Sequence, residues 1–284
     1  MKVAYTVKDL RDWLAESKKS GGTIGFVPTM GYLHDGHASL FYKAKETADI
    51  VVASVFVNPT QFGPNEDFET YPRDFEHDLR IAESCGVDIV FHPDVSEIYS
   101  DSDMIQLKVT DRADVLCGKS RPGHFDGVVT VLTRLFHIVQ PDYAFFGKKD
   151  AQQLAIVQGL IQTLHFPIRL IPCETVREAD GLAKSSRNVR LSVEERKEAV
   201  HLYQSLTLGR HLIEKGERDA ERIRQAVMAH LEEHLKLGRI DYAEVLSYPQ
   251  LKVIESINDT VIIALAVFYA NARLIDNVII DIPS

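Results

Sequence analysis

Two histidines three residues apart, His34 and His37, stand in the stretch GFVPTMGYLHDGHASLF (25–41), with Gly31 and Gly36 beside them. On a helix, that spacing puts both rings on one face of a single turn. Each ring can donate a hydrogen bond to an anionic oxygen, more strongly when protonated. A glycine lets the backbone approach a ligand closely, and the unpaired N–H groups opening a helix attract anions. Together these features suit a triphosphate cradle in which imidazoles stand in place of a lysine. Neither Gly-x-x-x-x-Gly-Lys-Ser/Thr nor Gly-x-Gly-x-x-Gly occurs in the chain. A second reading of the pair stays open, in which one histidine caps the helix and the other packs. A zinc site there lacks a third ligand and the metalloprotease glutamate.

Three further stretches concentrate polar groups. FVNPTQFGPNEDF places Asn58 and Gln61 where neutral amides can orient a small polar substrate. FFGKKDAQQLAIV carries Gly147, Lys148, Lys149 and Asp150, with Gln153 three residues further on. VREADGLAKSSRNVRLS collects Lys184, Ser185, Ser186 and Arg187 in a segment that reads as flexible. Singly, each stretch can be a solvated loop. Their shared position in the order of elements argues against coincidence.

Five short apolar runs rich in β-branched and aromatic residues, at 23–27, 49–57, 87–91, 142–146 and 168–173, read as strands covered on both faces. Helical patterns at 7–20, 36–48, 74–85, 125–139 and 151–164 lie among them. Such alternation implies an α/β, Rossmann-like domain with a mostly parallel sheet. The histidine turn and the segments around Asn58 and Lys148 then fall at carboxyl ends of strands, where open α/β sheets bind ligands. After Arg177 the pattern changes. Ser192, with Glu195 three residues on, predicts a capping box opening a helix to about residue 215. A second amphipathic helix is expected at about 219–237, followed by strands at 242–247, 261–268 and 275–282. This order predicts a smaller C-terminal α+β domain, so the expected division is 1–176 and 177–284.

The bulk properties narrow the function classes. A formal charge of −9 argues against a nucleic-acid partner, which needs a basic face. No apolar run approaches the ~20 residues of a membrane span, and no signal region opens the chain. Cys85, Cys117 and Cys173 are odd in number and far apart, as expected of buried thiols in a reducing cytoplasm.

Beyond these readings, the chain resembles the pantoate–β-alanine ligase family. PTMGYLHDGH is similar to that family's form of the His-Ile-Gly-His signature shared with nucleotidylyltransferases and class I aminoacyl-tRNA synthetases. SVFVNPTQFGPNEDFETYPRD, RPGHFDGVVTVL, FGKKDAQQ, READGLAKSSRN and ARLIDN match in family order. The resemblance implies ATP-dependent condensation of (R)-pantoate with β-alanine through a pantoyl adenylate, releasing pyrophosphate and then AMP. It implies ATP contacts from Met30, Gly31, Tyr32, Leu33, His34, Asp35, Gly36 and His37, with His37 as proton donor and His34 as its partner. It implies that Gln61 and Gln153 hold pantoate, and Asn58 is grouped with them as a substrate contact. Gly147, Lys148, Lys149 and Asp150 are implied for the nucleotide, as are Val176 through its backbone and Lys184, Ser185, Ser186 and Arg187 over the phosphates. Lys184 stands where the family often carries Met or Leu. Magnesium with ATP and a homodimer are also implied. The metal's ligands are not.

Overall fold

The computed structural model describes residues 1–64, 66, 68–100 and 104–282; Asn65 and Asp67 of the NPTQFGPNEDF stretch lie outside them. In chain order the elements are β1 (Lys2–Ala4), α1 (Val7–Lys19), β2 (Ile24–Thr29), α2 (Asp35–Thr47), β3 (Ile50–Val55), α3 (Phe75–Ser84), β4 (Ile89–Phe91) and α4 (Val95–Ile98). They continue with α5 (Leu116–Ser120), α6 (His124–Val139), β5 (Tyr143–Gly147), α7 (Ala151–Thr163) and β6 (Arg169–Cys173). The chain ends with α8 (Val193–Glu198), α9 (Val200–Glu214), α10 (Ala220–His234), β7 (Arg239–Ser247), β8 (Val261–Phe268) and β9 (Arg273–Ile280).

Two compact units result. The first comprises Met1–Thr110, Arg121–Lys148 and Ile156–Glu174. Its parallel sheet has the order β1-β4-β3-β2-β5-β6. From β2 the chain steps outward through β3 and β4, then returns to the other side of β2 with β5. The β2–β5 seam, where Gly25 faces Tyr143 and Phe26 faces Ala144, is therefore the switch point, beyond whose carboxyl ends such sheets bind ligands. Buried Val27, Val51, Ala53, Val90 and Phe145 pack with Leu40, Phe41 and Ala44 of α2, which accounts for the continuous apolar runs.

The second unit comprises Asp111–Ser120, Lys149–Ala155 and Thr175–Ser284. An antiparallel sheet, β7-β8-β9, carries α9 and α10, whose Leu202, Leu206, Ile223, Val227 and Leu231 join Ile263, Leu265 and Val267 in one core. Leu116, Ala151 and Ala155 pack with Leu246, Ile262 and Ala264 in a second cluster. That cluster draws two short segments from before residue 176 into this unit.

The Ser192–Glu195 capping box is present, with Ser192 Oγ accepting from Glu195 N–H at 3.2 Å and Glu195 Oε2 from Ser192 N–H at 2.8 Å. The single helix expected to follow it is interrupted at Ala199, where Leu202 N–H bonds back three residues to Ala199 O. The three cysteines are buried and unpaired, and burial pushes the Cys173 thiol up to about 11. Among the described residues no helix is long and apolar enough to cross a membrane.

Candidate active site

The turn between β2 and α2 is held from below by α3. Gly31 has φ +82°, and a Cβ there would meet Asp78 Oδ2 at 2.7 Å and Val55 Cγ1 at 3.0 Å, so only glycine fits. The Asp78 carboxylate is 2% exposed and accepts from Tyr32 N–H at 3.1 Å and Leu33 N–H at 2.7 Å. Burial raises the Asp78 carboxyl above its ordinary value, although both amide bonds oppose the shift. His77 Nε2 also lies 3.1 Å from Leu33 O, so α3 grips both polar groups of one residue. The amides of Tyr32 and Leu33 are thus occupied within the protein. Gly31 N–H likewise reaches Thr29 Oγ1 at 3.2 Å.

Asp78 is a positioning residue that the sequence motifs did not single out. The available signal is an acidic residue on the buried stripe of α3, four positions before Ala82. Asp78→Asn would turn an amide N–H₂ toward a backbone N–H and leave a donor unpaired. It should lower unfolding stability by about 1–3 kcal/mol, read as a reduced urea midpoint. An unchanged midpoint would mean that the turn does not depend on this carboxylate.

Both histidines cap α2, where the capping reading expected one to cap and the other to pack. His34 is the N-cap, its Nδ1 accepting from Gly36 N–H at 3.0 Å. His37 closes the reciprocal bond, its Nδ1 accepting from His34 N–H at 3.2 Å. The ring centroids are 4.2 Å apart. With each Nδ1 acting as an acceptor, the ring proton resides on Nε2 in both. The box therefore fixes two imidazole tautomers side by side at the carboxyl end of β2.

Gln61 is joined to this turn directly, donating from Nε2 to Met30 Sδ at 3.0 Å. Around it the RPGHFDG motif acts as a bracket. His124 Nδ1 donates to Gln61 O at 2.8 Å, and Arg121 Nη1 reaches His124 Nε2 at 3.0 Å. Arg121 also pairs with Glu66. Burial works to raise the Glu66 carboxyl, but the Arg121 guanidinium outweighs it and holds the group below its usual value. Asn58 belongs to the bracket too. Its Nδ2 donates to Gln61 Oε1 at 3.1 Å and Gly127 O at 3.2 Å, while Oδ1 accepts from Thr60 Oγ1 at 3.0 Å and Tyr99 OH at 2.6 Å. Asn58 is 1% exposed, and its bond to Gln61 orients that side chain.

At the end of β5, Gly147 leaves the space beside it open, since an added Cβ would meet nothing within 4 Å. Lys148 pairs with Glu174. The following residues fall in the second unit, where several motifs converge. Lys149 O accepts from Asn277 Nδ2 at 2.9 Å, and the Lys149 ammonium lies 3.9 Å from Asp150. Arg177 grips Asp276 through two nitrogens at 2.6 and 3.0 Å, its guanidinium 3.7 Å above Tyr203. Burial raises the Asp276 carboxyl and Arg177 opposes it. Gln153, in the first turn of α7, is half-buried. Its neighbour Gln152 is an internal anchor, donating to Arg112 O and Val115 O at 2.8 and 2.7 Å.

The segment expected to be flexible carries several hydrogen bonds and ion pairs. Lys184 N–H bonds to Val176 O at 2.9 Å, and Ser185 Oγ accepts from Arg187 N–H at 3.3 Å, just before Ser186 opens a 3₁₀ turn. Asn188 Nδ2 reaches Glu178 and Ala183 O, while Arg196 pairs with Glu178 at 3.0 Å and Asp180 at 2.8 Å.

A six-stranded parallel sheet with paired, capping histidines at its switch point defines a Rossmann-like α/β protein of the paired-histidine type. The chain belongs to the pantoate-beta-alanine ligase family, whose model matches residues 2–279. Pantothenate synthetase of Geobacillus thermodenitrificans is 56% identical over 283 residues, covering 100% of this chain and 98% of the relative. The crystal structure of pantothenate synthetase from Thermus thermophilus superposes with a TM-score of 0.92 at 41% identity, covering 98% of this chain and 99% of that one. Pantoate-beta-alanine ligase from Francisella tularensis, solved with beta-gamma ATP and beta-alanine, gives a TM-score of 0.78 at 33% identity, covering 98% and 97%.

Proposed function

We propose that this chain condenses (R)-pantoate with β-alanine to pantothenate at the expense of ATP, through a pantoyl adenylate. The observation that carries this reading is the family match along residues 2–279. The geometry suits the chemistry. In the first step a pantoate carboxylate oxygen bonds to the α-phosphorus as the bond from that phosphorus to the bridging oxygen breaks, and pyrophosphate leaves. The carboxylate is already ionised at neutral pH, so no strong base is required. Alignment and charge neutralisation are what lower the barrier. His34 and His37 supply Nε2–H donors for the phosphates, and His37 serves the leaving group. Gln61, fixed by Asn58 and His124, orients pantoate next to Met30.

In the second step the free amine of β-alanine bonds to the acyl carbon, AMP departs with its oxygen, and the amine gives up a proton. Lys148 lies at the end of β5 in the first unit. Lys149, Asp150, Val176, Lys184, Ser185, Ser186 and Arg187 are assigned to the nucleotide and Gln153 to pantoate by the resemblance. Magnesium bound with ATP would screen the charge of the phosphates. A cytoplasmic location and a homodimer complete the proposal, the latter tested by sedimentation velocity.

Labelled pyrophosphate should exchange into ATP when pantoate and magnesium are present and β-alanine is absent. An acyl-phosphate route would release ADP instead, and a nucleotide sensor would support no exchange. Exchange that requires β-alanine, or that proceeds equally well without pantoate, would refute the adenylate.

A further inference from the structure

Three imidazoles meet in the second unit, on helices that carry none of the residues assigned above. His201 lies in the first turn of α9, and His230 and His234 are one turn apart at the end of α10. Ring centroids are 4.3 Å apart for His201–His234 and for His230–His234, and 5.6 Å for His201–His230. One ring nitrogen from each lies within 4.8 Å of the other two. Among the described residues no other group of three possible ligands comes together in this way.

Hydrogen bonding separates the nitrogens into two sets. His234 Nδ1 donates to His230 O at 2.8 Å, which leaves a lone pair on Nε2. His201 Nδ1 and His230 Nε2 are buried and have no hydrogen-bond partner. Metal-binding histidines are oriented in this manner, one nitrogen tied to a carbonyl or side chain while the other faces the ion. Two buried, unpaired ring nitrogens are costly unless something fills the space between them. Apolar packing does not require imidazoles there, since the core is closed by Leu202, Leu206, Val227 and Leu231.

We propose that His201, His230 and His234 form a binding site for one divalent transition-metal ion, zinc first among them, that staples α9 to α10. The i, i+4 pair on α10 supplies two ligands from one helix face, and His201 supplies the third. Tetrahedral zinc at about 2.0–2.1 Å from each nitrogen needs those atoms about 3.3–3.4 Å apart, so small ring rotations complete the site. The three histidines are half-buried, and water would take the fourth position of a tetrahedral ion. Burial, then the neighbouring imidazoles, holds His201 and His230 below the ordinary histidine value, in the neutral form that ligates metal. Glu198 and Glu233 add negative charge beside His201 and His230. Imidazole donors prefer zinc, copper or nickel to magnesium, which separates this site from the metal that accompanies ATP.

The test uses the tag-free, full-length, metal-stripped protein and zinc alone, in competition with a chromophoric chelator. One zinc per chain is expected, and at free zinc about 100 times Kd the unfolding constant should fall about 100-fold. Loss of an outer partner costs about 10–100-fold in metal affinity, so loss of a ligand in His230→Gln or His234→Gln should cost about 100-fold or more. Pantoate-dependent exchange should be unchanged in both variants. His37→Gln should retain the bound zinc, which separates this cluster from the His34–His37 pair. Cobalt added to the unmutated protein should give visible d–d absorption of a tetrahedral site, a readout independent of how any variant folds. Absence of that absorption, zinc affinity equal in the unmutated and His230→Gln proteins, or zinc lost with His37 would each overturn the proposal.

Discussion

Replacing His37 by alanine should slow pantoate-dependent exchange of pyrophosphate into ATP by about 10²–10³, the usual effect of removing one preorganised transition-state donor. The same change removes half of the capping box, because His37 Nδ1 accepts from His34 N–H at 3.2 Å. Loss of a cap costs about 0.5–2 kcal/mol, so the variant should also melt earlier. The two effects separate in His37→Gln. A glutamine at that position can close the box with its side-chain oxygen, as in the common Ser-x-x-Gln form. Stability should then return while exchange remains slow, because no imidazole Nε2–H faces the phosphates. Near-normal exchange in a folded His37→Ala protein would remove His37 from the chemistry. Recovery of rate together with stability in His37→Gln would reduce its role to capping.

Gly127→Ala should be nearly as damaging, although Gly127 is itself assigned no substrate contact. A Cβ at 127 would lie 2.3 Å from Thr60 O, 2.5 Å from its carbonyl carbon and 2.7 Å from Gln61 N. All three are backbone atoms, so no side chain can swing aside. Nor can α6 easily retreat, since Val128, Val131, Leu132 and Leu135 are buried along it. The turn carrying Gln61 must shift instead, by roughly an ångström, and a misplacement of that size can cost about 10²-fold in rate. Overpacking adds about 1–3 kcal/mol of destabilisation. Steady-state kinetics with pantoate varied should show kcat/KM lower by about 10². A pantoate kcat/KM within a factor of two of the unmutated protein would mean that the position of Gln61 is not set by α6.

Strand and helix periods depend on neighbours a few residues away, so the alternation up to β6 and the change after Arg177 are visible in the chain itself. So are the His34–His37 pair at a strand end and the Ser192–Glu195 box, whose partners are three residues apart. The ordered motifs from PTMGYLHDGH to ARLIDN were enough to identify the family resemblance. What the tertiary structure alone decided involves partners distant in the chain. Asp78 takes the Leu33 amide across 45 positions, and His124 takes Gln61 O across 63. Neither partner can be read from the chain, because which donors remain for a ligand depends on which the fold has already used. The support that Asn58 gives Gln61 likewise shows only in the folded chain. The segments 111–120 and 149–155 joined the second unit because Leu116, Ala151 and Ala155 find their apolar partners on its sheet. His201 and the α10 pair show the same division. The i, i+4 spacing of His230 and His234 can be read in the chain, but the third imidazole reaches them only when α9 packs on α10.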